Sequence, residues 1–245
     1  MLVWAASQLG DSVQAACEAV MVAVECIHVY SLVHDDMPEM DNDQLRRGKP
    51  TCHVQFGDAV ALLTGDALQT LAFDILSAPT DLPAERQLKM VQVLAKASGS
   101  LGMAGGQAID LANVGKDMKQ PALEQMHSLK TGALIRAAVQ LGGLSCPQIT
   151  DSQLARLDAY AAKLGLAFQV IDDVLDCEAD TATLGKTAGK DADNNKPTYV
   201  KLMGLQAARE YAEQLVREAV AELDVFDERA QYLRQLAEYV VVRNY

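Results

Sequence analysis

The stretch that decides the fold is VQAACEAVMVAVECIHVYSLVHDD, which runs from Val13 to Asp36. A second stretch of the same kind, LARLDAYAAKLGLAFQVIDD, runs from Leu154 to Asp173. Apolar residues recur at helical spacing on more than one face of each, which is typical of helices surrounded by other helices in a bundle. Both stretches end in a pair of aspartates, so we expect two long core helices that carry carboxylates to the edge of the core.

The rest of the chain also predicts helices. No run of β-branched and aromatic residues alternates with period two, and only 5% of the residues are aromatic. Turn residues separate the apolar segments without forming an interdomain linker. We therefore predict an all-α fold, a large single-domain helical bundle over residues 1–245 with a central cavity. Its expected helices lie near 12–35, 57–77, 84–100, 121–141, 150–177, 198–222 and 226–242.

The composition excludes several classes of protein. The chain has 245 residues, of which half are hydrophobic, with 21 Lys+Arg against 33 Asp+Glu and a net charge of −12. This much apolar material excludes disorder. The acidic balance leaves no basic patch for nucleic acid. The sequence has no apolar run of about 20 residues and no secretory leader, and its five cysteines form no C-x-x-C pair. We expect a cytoplasmic protein without a membrane span.

The two aspartate clusters carry the strongest chemical signal. The first is Asp35-Asp36-Met37-Pro38-Glu39-Met40-Asp41, and the second is Asp172-Asp173-Val174-Leu175-Asp176. Asp172 and Asp176 share one helix face, and carboxylates this close repel one another unless cations intervene. A helix cap or a solvated acidic surface would explain one such cluster. Two clusters at the ends of buried helices favour a function, because desolvating carboxylates is costly.

Oxygen donors without Cys or His at ligand spacing favour Mg²⁺ over zinc, copper or iron. Bound Mg²⁺ characteristically shares its remaining positions with substrate phosphates. Basic residues accompany both clusters: Arg46-Arg47-Gly48, Lys130-Thr131-Gly132, Lys186 and Lys196. Each basic residue alone is more often a solvated surface position, but their repeated association with the aspartates indicates a phosphate site.

The ordered set of motifs resembles the short-chain trans-isoprenyl diphosphate synthases, and most closely the bacterial farnesyl diphosphate synthases, almost from end to end. A lone D-D-x-x-D would be weak, whereas the ordered set is specific. The motifs are HVYSLVHDDMPEMD (28–41), LRRG (45–48), GDAL (65–68), GGQ (105–107), KTGALI (130–135), FQVIDDVLD (168–176) and TLGK (183–186).

The resemblance implies a homodimeric prenyltransferase that acts on allylic and homoallylic diphosphates. It implies that Asp35, Asp36 and Asp41 hold Mg²⁺ against the allylic diphosphate and that Asp172, with Asp173 and Asp176, holds a further Mg²⁺. Mn²⁺ could replace Mg²⁺. The resemblance implies that Arg46, Lys130 and Lys196 contact the allylic diphosphate. It implies that His28 and Arg47 belong to the isopentenyl diphosphate site. Thr131, Gln169 and Lys186 are implied to line the space around the reacting cation.

Product length is expected to depend on bulk before the first cluster. Tyr30 stands five residues before Asp35, with Ser31 beside it, and in this family an aromatic residue there is associated with a short product. We therefore expect a C15 product, farnesyl diphosphate, with the C10 and C20 diphosphates as alternatives.

The sequence departs from the family in one respect, because no glycine-lysine-arginine motif precedes Asp35. We expect that the chain lacks the family's first helix and that its binding of isopentenyl diphosphate is weakened. A non-catalytic subunit, a terpene cyclase and a di-iron bundle are the competing hypotheses. The complete set of aspartates disfavours a non-catalytic subunit, and the repeated Asp motif disfavours a terpene cyclase. The lack of Glu-x-x-His pairs disfavours a di-iron bundle.

Overall fold

The computed structural model describes residues 1–116, 118–178 and 198–243. Its helices are α1 (Leu2–Ser7), α2 (Gln14–Asp35), α3 (Cys52–Phe56), α4 (Asp58–Ser77), α5 (Ala84–Ser98), α6 (Met103–Ala112), α7 (Gln120–His127), α8 (Ala133–Leu144), α9 (Asp151–Glu178), α10 (Tyr199–Met203), α11 (Leu205–Ala221) and α12 (Gln231–Val242). A π-helical turn over Ser128–Gly132 joins α7 to α8, and 3₁₀ turns cover Glu222–Val225 and Glu228–Ala230. The prediction of an all-α fold is confirmed.

A very small hairpin interrupts the helices between α2 and α3. Strands β1 (Leu45–Arg46) and β2 (Lys49–Pro50) pair antiparallel, with Leu45 opposite Pro50. The two residues between them, Arg47 and Gly48, have φ values of 53° and 73°. Positive φ at both central residues is what a two-residue type I′ turn requires, and it matches the twist of the strands. The hairpin turns the chain back toward the end of α2.

The long helices lie where the apolar pattern predicts them, but two segments differ. The segment expected near 198–222 is two helices, because Gly204 at φ 84° ends α10 before α11 begins. Helix α6 was not predicted at all. Gly105 and Gly106 lie inside it, and glycine lowers helix propensity by about 1 kcal/mol relative to alanine, so tertiary packing has to stabilise this helix.

The core forms where α2 packs along α4, α9 packs along α11, and α8 contacts α1, α5 and α9. Buried side chains run from Val20 and Ile27 on α2 to Leu157, Leu164 and Val170 on α9. These helices are buried on several sides, as their all-round apolar pattern predicts. Both aspartate pairs therefore lie at the ends of helical segments anchored in one core.

Two described helices, α2 and α4, are long and apolar enough to cross a membrane by length and composition alone. They pack against one another, and 39% of the apolar window of α2 is buried. Core helices of soluble proteins pass the same test, so this finding does not show a membrane span.

Candidate active site

A cavity of about 790 Å³ lies among α1, α2, α6, the π turn, α8, α9 and α12. Asp35 lines it at the end of α2, and Met21 lines it fourteen residues earlier, which is about 21 Å of helix at 1.5 Å per residue. Its other polar lining includes His28, Ser31, Arg47, Gln107, Lys130 and Thr131, and its apolar lining includes Val24, Leu32, Met103, Leu134, Leu164 and Phe168. The cavity is therefore long, with charged groups on an otherwise apolar wall.

Asp36 anchors the hairpin. Its side chain is 4% exposed, and Arg46 donates to both of its oxygens, with Nη2 2.6 Å from Oδ1 and Nε 2.8 Å from Oδ2. The hydrogen bond to Asp36 raises the pKa of Arg46. Asp36 is not among the described residues that line the cavity. Neighbouring residues lie about 100° apart around a helix, so Asp35 and Asp36 face different directions. The metal-binding role of Asp36 and the diphosphate-binding role of Arg46 stay predictions from the family resemblance.

Asp35 faces the cavity and contacts two neighbours. Its Oδ1 accepts a hydrogen bond from the Gln107 amide on α6, and Lys130 Nζ lies 3.8 Å from its Oδ2. The same Lys130 ammonium lies 2.7 Å from Oδ2 of Asp110 on α6. Gln107 and Asp110 are three residues apart and therefore share one face of α6. Asp110 was missed by the sequence analysis, because the only signal was this spacing in a segment that glycines made look non-helical.

The loop after α2 brings Asp41 beside the first pair. The amide of Asp41 donates to the carbonyl of Asp35 at 2.9 Å, and the amide of Asp43 donates to the carbonyl of Asp36 at 3.1 Å. These bonds fold the chain back over the end of α2. Asp41 therefore lies next to Asp35, as the spacing of the first cluster suggested.

The π turn positions Lys130 and Thr131. Insertions of this kind are frequent at functional sites, because they change the direction of side chains within a helix. Thr131 Oγ1 donates to Gln169 Oε1 on α9 at 2.9 Å. A Cβ on Gly165 would lie 3.1 Å from the Cα of Gly132, so α9 passes very close to the turn. Thr131 and Gln169 are thus brought together, as the family resemblance implied.

The second aspartate cluster lies on the last turns of α9. Asp173 is buried, and its Oδ2 accepts a hydrogen bond from the backbone amide of Tyr199 at 2.7 Å. Asp176 is also buried. Asp172 is more exposed, and Oδ1 of its side chain accepts a hydrogen bond from Arg243. The cluster therefore has one carboxylate toward the cavity residue Arg243 and one that anchors the start of α10.

Arg243 is a site residue that no sequence motif indicated. Its guanidinium lies 3.9 Å above the ring of Phe168 and donates to the carbonyl of Phe168 at 3.2 Å. Its side chain is 10% exposed and lines the cavity. A cation at this position neutralises Asp172 while keeping its own planar group on an aromatic face.

His28 and Arg47 both line the cavity, as the resemblance implied. Burial lowers the pKa of His28, and the cations Arg47 and Arg46 lower it further, whereas Glu25 opposes them. The imidazole is therefore neutral near pH 7.

Tyr30 is not among the described residues that line the cavity, whereas its neighbour Ser31 is. Its ring packs edge-on against His34 at 5.6 Å, and a Cβ on Gly65 would clash with that imidazole, so this face of α2 lies against α4. The product-length role of Tyr30 stays a prediction, and the helical rotation places Ser31 rather than Tyr30 on the described cavity wall.

Two predicted lysines, Lys186 and Lys196, lie outside the described residues.

The donors along the cavity fit Mg²⁺. Among the described residues no three His, Cys, Asp or Glu side chains converge as a preformed metal site. Mg²⁺ does not need such convergence, because it is usually held by one or two carboxylates and completes its shell with water and phosphate. The Oε1 atom of Gln107 is buried without a hydrogen-bond partner within the described ranges, beside Asp35. An acceptor left unpaired there suits a water bound to a cation.

Comparisons with known proteins identify the family of this chain. A family model described as polyprenyl synthetase matches residues 1–238. The chain is 53% identical over 233 residues to farnesyl diphosphate synthase of Escherichia coli, covering 93% of this chain and 78% of the relative. It is similar to an FPP/GFPP synthase of Zymomonas mobilis, with a TM-score of 0.88 and 45% identity, over 98% of this chain and 81% of that one.

A geranyltransferase of Helicobacter pylori, solved as a complex with magnesium and isoprenyl diphosphate, has a TM-score of 0.83 and 34% identity, over 92% of this chain and 75% of that one. The structural likeness extends over nearly all of the described helices. The chain belongs to the polyprenyl synthetase family, and its reaction is the trans prenyl transfer of the farnesyl diphosphate synthases that it matches.

Proposed function

We propose that this chain forms farnesyl diphosphate by Mg²⁺-assisted ionisation of an allylic diphosphate, followed by condensation with isopentenyl diphosphate. The observation that carries the proposal is the long cavity in which Asp35, Lys130 and Arg47 line a wall that is otherwise mostly apolar. Such a cavity can hold a diphosphate among charges and a prenyl chain among apolar side chains.

The metal-binding roles fall to Asp35 and Asp41 from the first cluster and to Asp172 and Asp176 from the second. Asp36 and Asp173 instead hold structure, because each is bonded to a returning segment of chain. When bound, Mg²⁺ supplies Lewis-acid stabilisation to the diphosphate oxygens, and Mn²⁺ can supply the same chemistry.

Lys130 stabilises the departing diphosphate. Its ammonium lies at the cavity surface 3.8 Å from Asp35 Oδ2, so it faces the place where a diphosphate held near Asp35 gains negative charge. A cation fixed there lowers the barrier, because it need not reorganise as the bond breaks. Lys186 and Lys196 are proposed from the family resemblance alone to add to this charge.

The carbocation that remains is protected by the cavity wall. Leu134, Leu164 and Phe168 exclude water from it. The Thr131 hydroxyl donates a hydrogen bond to Gln169. Its oxygen lone pairs can therefore face a positive centre in the cavity. The double bond of isopentenyl diphosphate then attacks this centre, and a proton is lost from the new chain.

Arg47 and His28 bind the diphosphate of the second substrate. Arg47 contributes its charge, and neutral His28 can donate one hydrogen bond. Both lie on the cavity wall, Arg47 from the hairpin turn and His28 from α2. The product-length role of Tyr30 and its neighbour Ser31 is proposed from the family resemblance, and of the two Ser31 lines the cavity, one turn before Asp35.

The assembly proposed is a cytoplasmic homodimer of single-domain subunits. Apolar side chains on α4 are exposed, namely Val60, Leu62, Leu63 and Leu71. An apolar helix face of this kind suits an isologous interface with a second copy.

The proposal is tested by product analysis with geranyl diphosphate, isopentenyl diphosphate and Mg²⁺. We expect a C15 product that EDTA abolishes and that Asp35→Asn nearly abolishes. Asp158→Asn is the matched control, since Asp158 pairs with Arg136 and does not line the cavity. A C15 product that persists in EDTA or in Asp35→Asn would contradict the proposed mechanism.

A further inference from the structure

We propose that Asp110 is a positioning residue that holds the Lys130 ammonium away from Asp35 and so keeps Asp35 available to a divalent cation. This inference rests on the proposed function, in which Asp35 is a metal ligand. It concerns the competition between a resident ammonium and a metal for one carboxylate.

The three charged groups form an unequal arrangement. Lys130 Nζ is 2.7 Å from Asp110 Oδ2, a charge-assisted hydrogen bond, and 3.8 Å from Asp35 Oδ2, beyond hydrogen-bonding distance. The side chains are 22%, 12% and 18% exposed for Lys130, Asp110 and Asp35. The ammonium therefore lies between two carboxylates but is bonded to the one on α6.

Helix α6 is held rigidly in the place that this arrangement needs. A Cβ on Gly106 would lie 2.1 Å from the backbone nitrogen of Lys130, so α6 touches the π turn backbone to backbone. Gln107, the next residue, donates its amide to Oδ1 of Asp35. Helix α6 thus contacts the backbone of Lys130, orients the side chain of Asp35 and, through Asp110, holds the ammonium of Lys130.

Removing the Asp110 charge should redirect Lys130. An ammonium that is mostly buried needs an anionic or polar partner, and Asp35 is the carboxylate 1.1 Å farther away. Once bonded to Lys130, Asp35 would be neutralised, and a cation would have to displace the ammonium before binding. Asp110→Asn would then weaken metal binding although Asp110 is not itself the ligand.

A double-mutant cycle on metal binding separates this role from two others. The variants are Asp110→Asn, Lys130→Met and the double variant, and the readout is the Kd for Mn²⁺ alone from the electron paramagnetic resonance of free Mn²⁺. Asp35→Asn identifies which binding depends on Asp35. Because no substrate is added, the result does not depend on whether the prenyl transfer occurs as proposed.

We expect Asp110→Asn to raise the Asp35-dependent Kd for Mn²⁺ about tenfold when Lys130 is present and less than about twofold in the Lys130→Met background. An equal rise in both backgrounds would overturn the proposal, because Asp110 would then act as a ligand or through its general field. No rise with Lys130 present would also overturn it.

Folding is controlled separately. Asp110→Glu keeps the charge and is expected to restore Mn²⁺ affinity to within about threefold of the natural chain, given that a longer side chain holds the ammonium less well. If Asp110→Asn fails to fold, Asp110→Glu and Lys130→Met still test the inference, since Lys130→Met is expected to bind Mn²⁺ more tightly than the natural chain. An unchanged or weaker affinity in folded Lys130→Met would overturn it.

Discussion

The two aspartate pairs share a plan and differ in how they are neutralised. In each pair the first aspartate, Asp35 or Asp172, is directed toward cavity residues, and the second, Asp36 or Asp173, is buried and anchors a returning segment. Asp35 is oriented by a neutral amide, with the nearest ammonium held off by another carboxylate. Asp172 is instead bonded to Arg243.

This difference indicates that a metal ion competes with a weaker ion pair at Asp35 than at Asp172. At Asp35 a divalent ion meets the Lys130 ammonium at 3.8 Å, whereas at Asp172 it has to compete with a guanidinium that is hydrogen-bonded to the carboxylate and stacked on Phe168. We therefore expect the first cluster to bind metal before the second. The two aspartate pairs are therefore expected to bind metal ions one after the other.

The largest effect expected is on catalysis, from the first aspartate of each pair. Asp35→Asn and Asp172→Asn should each lower kcat by about 100- to 1000-fold, because each removes charge that stabilises the leaving diphosphate in the transition state. Steady-state kinetics at saturating Mg²⁺ measures this, and thermal unfolding should change little. A kcat within threefold of the natural chain for either variant would break the parallel between the clusters.

The anchoring members should act on stability instead. Asp36→Asn and Asp173→Asn are expected to lower the free energy of unfolding by about 1.5–3 kcal/mol, because each weakens a charge-assisted hydrogen bond of a buried group. Urea denaturation measures the change. A variant of Asp36 that keeps full stability but loses Mn²⁺ binding would show that Asp36, and not only Asp35, is a ligand.

Arg243→Met tests the built-in cation of the second cluster. It should lower the Kd for Mn²⁺ at the Asp172-dependent site about three- to tenfold, because the competing charge is removed while most of the apolar volume remains. Arg136→Met is the matched control, since it removes an arginine that pairs with Asp158 away from the cavity. Equal effects of the two substitutions on the Kd for Mn²⁺ would show that the change in net charge, and not the contact with Asp172, causes the effect.

The smallest effect expected is on the pH dependence of stability. It concerns His28 on α2, since α9 carries no histidine. Burial lowers the pKa of His28 below 6.5, so the unfolded chain binds this proton more readily than the folded one. The contribution of neutral His28 to the free energy of unfolding is complete above pH 6.5, and it is lost as the pH falls through the lowered pKa. In urea denaturation, His28→Gln should flatten this part of the pH profile, and an unchanged slope would contradict it.

Much of the fold was predictable because its signals are local. All-round apolar patterns predicted α2 and α9, and the paired aspartates at their ends predicted where charge meets the core. Helix α6 was not predictable in this way, because Gly105 and Gly106 reduce its local propensity and its stability comes from contact with the π turn.

The candidate site divides in the same manner. Residue type and spacing indicated Asp35, Lys130, Thr131 and Gln169, and the structure brings these groups together in two contacting pairs. The product-length role of Tyr30 came from its place in the family motif, whereas the helical rotation, which the motif does not specify, places Ser31 on the cavity wall.

By itself, the sequence determined the all-α class, the two carboxylate clusters and the family, because helix periodicity and ordered motifs are properties of neighbouring residues. Only the tertiary structure decided that Asp35 lines the cavity and Asp172 contacts Arg243, while Asp36 and Asp173 anchor returning segments. It also placed Asp110 on Lys130 and Arg243 on Asp172, across separations of 20 and 71 residues. Such pairings depend on how helices pack side by side, which no local pattern specifies.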